Sequence, residues 1–82
     1  RAVSAGGSGS TRADAVEALT PRQREVLLLI ARGLSNSEIE AELGITRATC
    51  RSHITALLAR LGARDRAQLV IAAYESGLIS AR

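Results

Sequence analysis

Four successive segments of this chain carry apolar residues at intervals of three and four, and each opens on a polar residue suited to starting a helix. Thr20 precedes Pro21 and stands three positions before Gln23; Val26, Leu27, Ile30 and Ala31 then share one face, and Gly33 follows. A side-chain oxygen at the first position can cap free N–H groups, a Gln or Glu three residues later can answer it, Pro suits the first turn, and Gly suits the end. A first helix is therefore predicted from residue 21. Ser35 with Glu38 opens a short second helix that is anchored by Ile39 and Leu43 and ended at Gly44. Thr46 opens a third over residues 47–61, with Cys50, Ile54, Leu57, Leu58 and Leu61 in one stripe before Gly62. Asp65 with Gln68 opens a fourth, running to about Ser76 with Gly77 behind it. No alternating pattern suggests a strand.

Ahead of Leu19 the pattern fades. Residues 1–11, RAVSAGGSGST, have the composition of a flexible coil and too little apolar surface to offset the entropy of ordering it. Residues 12–18 permit a helix, but with Val16 as the one large apolar side chain a helix there is marginal by itself. The expected organisation is a flexible interdomain linker over residues 1–18 and one all-α domain over 19–82, with three helices plus a fourth. The chain opens on Arg1 rather than Met, so it is expected to be the carboxy-terminal piece of a longer protein.

Composition narrows the partner. Of the 82 residues 46% are hydrophobic, yet there is no Phe, Trp or Met and one Tyr, so the core must be aliphatic. Eleven Arg against eight acidic residues give a net charge of +3, which favours a polyanionic partner. Single strands are gripped mainly by stacking bases on aromatic rings, and Tyr74 is the sole candidate for that, so a duplex read through its grooves fits better. One Cys and one His exclude an internal disulfide and a structural zinc site. No cofactor or metal is expected, nor an enzyme, because no nucleophile and base pair or phosphate loop can be assembled. The longest apolar stretch falls short of a membrane span, and a soluble, cytoplasmic protein is expected.

The second and third predicted helices are separated by Gly44, Ile45 and Thr46, the spacing of a helix-turn-helix. In such a pair the second helix enters the major groove while the first crosses the backbone. Ala48, Ser52, Thr55 and Ala59 point away from the apolar stripe, with Arg51 at its edge. Arg51 can grip a guanine edge with two hydrogen bonds, Ser52 and Thr55 can bond several base edges, and Ala48 can touch a thymine methyl.

Four stretches, LTPRQREVL (Leu19 to Leu27), GLSNSEI (Gly33 to Ile39), TCRSH (Thr49 to His53) and LGARDR (Leu61 to Arg66), resemble in order and spacing the LuxR/NarL/FixJ-type, GerE-like helix-turn-helix domain of bacterial response regulators and related transcription factors. The resemblance covers Leu19 to about Ile79. It implies a four-helix domain that binds double-stranded promoter or operator DNA as a homodimer, with RNA polymerase as a further partner. It marks Ala48, Arg51, Ser52 and Thr55 as groove-facing, and Asn36, Thr46, Thr49 and His53 as phosphate contacts. It also assigns dimerisation to the fourth helix, which carries two apolar seams: Arg66, Leu69, Val70 and Ala73, and Ala67, Ile71, Tyr74 and Leu78. One must pack inward, and the Ala67, Ile71 and Tyr74 seam is the one expected to face a second copy. The missing amino-terminal part would then be a phosphorylated receiver of a two-component system, a small-molecule sensor or another sensory unit.

Three positions depart from the family pattern. Ser37 stands where Lys is common, Glu40 where Ala is usual and Cys50 where Val is usual. Glu40 lies between Glu38 and Glu42 on a helix expected near phosphates, where it would oppose binding unless paired with Arg47 or Arg51. Cys50 reads as a packing residue rather than a redox switch, and the Ser35 and Glu38 pair as a capping box. The glutamates motivate an alternative function, a protein-interaction or dimerisation module with weak DNA binding. A sigma-factor-like fragment fits less well because the fourth helix is apolar.

Overall fold

The computed structural model describes residues 12–79, with five helices: α1 (Arg12–Glu17), α2 (Pro21–Ala31), α3 (Asn36–Leu43), α4 (Arg47–Leu61) and α5 (Arg66–Glu75). The four expected helices are α2 to α5. Their starts follow the capping chemistry. Thr20 Oγ1 accepts from the Gln23 N–H at 3.1 Å while Gln23 Oε1 accepts from the Thr20 N–H at 3.0 Å. Ser35 and Glu38 form the same reciprocal box at 3.2 and 2.7 Å. At α5 the box is shifted by one residue: Asp65 caps the Gln68 N–H, but Gln68 Oε1 accepts from the Arg64 N–H at 2.7 Å.

The turn between α3 and α4 is made by Gly44 in the left-handed conformation, φ 65° and ψ 40°. The N–H groups of Gly44 and Ile45 both reach the Glu40 carbonyl, which closes α3 and swings the chain into the cap of α4. A Cβ at Gly44 would meet nothing within 4 Å, so the cost of a side chain there is conformational alone. Gly44→Ala is expected to lower stability by about 1 to 2 kcal/mol, read as a fall in the thermal midpoint of roughly 4–8 °C per kcal/mol for a domain of this size.

One aliphatic core joins all five helices: Val16, Leu19, Val26, Leu27, Ile30, Ile39, Cys50, Leu57, Leu61, Ala63, Leu69, Ala72 and Ala73. Helix α2 packs most extensively on α5 and also touches α3 and α4, while α4 bridges α3 and α5. Of the two seams on α5, Leu69 and Ala73 turn inward with Ala72, and Ala67, Ile71 and Tyr74 face outward. No helix among the described residues is long and apolar enough to cross a membrane.

The expected linker over residues 1–18 meets the described residues only from residue 12, and α1 stands there instead. Residues 1–11 of that linker lie outside the described residues. Val16 is buried in the core, α1 packs on α4 and α5, and Arg24 holds its end by donating through Nη2 to the Glu17 and Leu19 carbonyls at 3.1 and 3.2 Å. Tertiary contacts supply what a helix of this length lacks alone.

Candidate nucleic-acid interface

Helix α4 has two faces with different work. Cys50, Leu57 and Leu61 are buried, and Ile54 and Leu58 pack against the same core, so the helix cannot roll about its axis. Ala48, Arg51, Ser52, Thr55 and Ala59 are exposed along the other side. Small side chains flank Arg51, so a backbone and its base edges can come close, and no described protein group holds the guanidinium by hydrogen bond or ion pair. It is a long, permanently charged donor set on a rigid base.

The flanks of this strip are polar and already oriented. Thr46 caps α4: its Oγ1 accepts from the Thr49 N–H at 3.1 Å and lies in hydrogen-bond contact with Thr49 Oγ1 at 3.0 Å. Either hydroxyl can be the donor in that contact, so one hydroxyl proton of the pair remains for an outside acceptor. Asn36, exposed at the first position of α3, accepts at Oδ1 from Arg66 Nη1 at 2.6 Å. Ser37 follows it and is exposed, and His53 on α4 is half-buried. The structure thus brings Thr49 and His53 onto the same helix as the exposed Ala48, Arg51, Ser52 and Thr55, with Thr46 as its cap, and Asn36 onto the packed neighbour.

The sequence reading missed the reach of Arg66. Its guanidinium crosses from the start of α5 to Asn36 and to the Leu34 carbonyl. A charged residue in an otherwise apolar inward seam was the available signal that a distant polar partner existed. The suggested pairing of Glu40 with Arg47 or Arg51 is not formed. Glu40 is half-buried, and near enough to Cys50 for its charge to act on the thiol. Burial above all, and the Glu40 carboxylate second, push the Cys50 thiol above its ordinary value, with Arg66 pulling the other way. A fully buried, protonated thiol is a packing group rather than a nucleophile.

Comparison with known proteins agrees with this geometry. The family described as bacterial regulatory proteins, luxR family, matches residues 17–73, more than half of the chain. The response regulator protein VraR of Staphylococcus aureus is 46% identical over 68 residues, covering 83% of this chain and 32% of the relative, and the proteins of the same name from Staphylococcus saprophyticus and Staphylococcus epidermidis match to the same extent. The chain thus spans about a third of the length of the curated relatives it matches. The crystal structure of the response regulator ChrA, from a heme-sensing two-component system, superposes with a TM-score of 0.71 at 35% identity over 76% of this chain and 31% of that one. With a core-locked second helix behind a glycine turn, and with motif order matching across residues 17–73, the chain belongs to the luxR family of bacterial regulatory proteins, as a helix-turn-helix domain of the kind through which response regulators bind DNA and regulate transcription.

Proposed function

We propose that this domain binds double-stranded DNA in a sequence-specific manner, with α4 in the major groove, as the effector part of a bacterial response regulator. The observation that carries this reading is the exposed strip Ala48, Arg51, Ser52 and Thr55 on a helix whose opposite face is held in the core. Arg51 would read a guanine, Ser52 and Thr55 neighbouring base edges, and Ala48 a thymine methyl. Asn36, Thr46, Thr49 and His53 would hold phosphates.

The domain would act as a homodimer through α5. Ile71 and Tyr74, 50% and 39% exposed, are its large exposed apolar side chains among the described residues, and with Ala67 they form one helical face. A two-fold contact there would set the spacing of two half-sites. Promoter or operator DNA is then the partner, RNA polymerase a second one on the same DNA, and the cytoplasm the place of action.

Selection of bound duplexes from a random pool tests the reading. A paired half-site motif is expected, with affinity falling by about 0.9 log units per log unit of salt for each phosphate neutralised. Ile71→Asp is expected to select only single half-sites. A folded protein that enriches no duplex and self-associates regardless of salt would mean that the interaction-module reading, for which Glu38, Glu40 and Glu42 speak, is the right one.

A further inference from the structure

Arg66 begins α5 and Asn36 begins α3, thirty residues apart in the chain, yet their side chains meet at 2.6 Å. The same guanidinium donates from Nη2 to the Leu34 carbonyl, in the turn that leads into α3. Arg66 is half-buried while Asn36 is exposed. The stem and head of Arg66 are thus held by the protein, and the amide of Asn36 is presented at the edge of the surface.

The chemistry of this contact has a direction. An arginine side chain has five N–H donors and no acceptor, so the amide atom facing it must be oxygen. The Asn36 NH2 group is then the half of the amide that Arg66 does not engage, and its two protons are left for an outside acceptor. A phosphate oxygen only accepts, and only this orientation of the amide suits it. In the opposite orientation the carbonyl oxygen would face the phosphate and repel it. A freely rotating amide would adopt both and would lose rotational freedom on binding. The second bond, to Leu34, keeps the guanidinium fork in place, so the orientation does not depend on a single exposed hydrogen bond.

We propose that Arg66 is a positioning residue for DNA binding: it touches no phosphate itself but sets the Asn36 amide with its donors left for an outside acceptor and so prepares the start of α3 for the DNA backbone. The inference rests on the proposed approach of Asn36 to a phosphate. It differs from a solvated surface role for Arg66, and from a direct phosphate contact by that arginine.

Two measurements test it. In the DNA-free protein, nitrogen relaxation of the Asn36 side-chain amide is expected to give an order parameter near the rigid limit of about 0.85, and a value below about 0.6 overturns the proposal without any reference to DNA. On DNA, Arg66→Met and Asn36→Ala are combined in a double-mutant cycle at matched salt, with helix content checked by circular dichroism. Each single variant is expected to bind roughly three- to tenfold more weakly, and Arg66→Met is expected to add little once Asn36 is already Ala. The cycle cancels any effect of the lost charge acting alone. Equal losses from Arg66→Met in both backgrounds, or a salt slope that falls by about one unit, would mean that Arg66 contacts phosphate or supports the fold in its own right. If wild-type protein binds no duplex while the amide is rigid, the DNA reading fails and the orienting contact stands. Should Arg66→Met not fold, the relaxation measurement on the wild type decides.

Discussion

Arg51→Ala is expected to weaken binding to a selected duplex by roughly 1 to 3 kcal/mol, five- to 150-fold, and to relax recognition at one base position. The loss should be much smaller on random duplex at the same salt, because an interaction with a base edge is absent there. The thermal midpoint should not move, since Arg51 is exposed and no described group depends on it. Titration of fluorescent duplexes, specific and random, against both proteins reads all of this. Equal losses on the two duplexes would reduce Arg51 to a phosphate contact and shift the reading of sequence to Ser52, Thr55 and Ala48.

The opposite face of the same helix should behave in the opposite way. Leu57 is fully buried on the inner side of α4, and Leu57→Ala is expected to cost about 2 to 5 kcal/mol through lost burial and the cavity left behind. Because so small a domain has little stability in reserve, the midpoint should fall by roughly 4–8 °C for each kcal/mol, enough to leave part of the population unfolded at 37 °C. Affinity per folded molecule, measured in the cold, should be nearly unchanged. A fall of under about 3 °C would show that the core does not close on Leu57. The two variants together separate a face that holds the helix from a face that reads with it.

Much of the fold was legible because its signals are local. Thr20 with Gln23 and Ser35 with Glu38 cap the helices they were expected to cap, and the stripe from Cys50 to Leu61 faces the core. Helix α1 was not legible in this way. Its sequence has one large apolar residue, Val16, and its stability comes from α4 and α5, which lie far along the chain. The Asp65 cap was foreseen, but the answering bond from Gln68 goes to Arg64 rather than to Asp65 itself.

The candidate site divides along the same line. Periodicity on α4 determined which residues could face a groove, since 100° per residue relates every position on one helix to every other. The outward exposure of Ala67, Ile71 and Tyr74 was expected, but periodicity alone could not choose between the two seams of α5, which share one spacing. Packing against α2 decided it, by taking in Leu69, Ala72 and Ala73 and leaving Ile71 and Tyr74 outside. Packing likewise left Glu40 unpaired with Arg47 or Arg51, close enough to Cys50 for its charge to act on the thiol, and carried Arg66 across to Asn36. The helices, their caps and the glycine turn follow from local sequence, because each depends on neighbours within about four residues. Which distant charged and polar groups meet depends on the packed fold, because their hydrogen bonds form only after burial of the aliphatic faces has set the helices side by side.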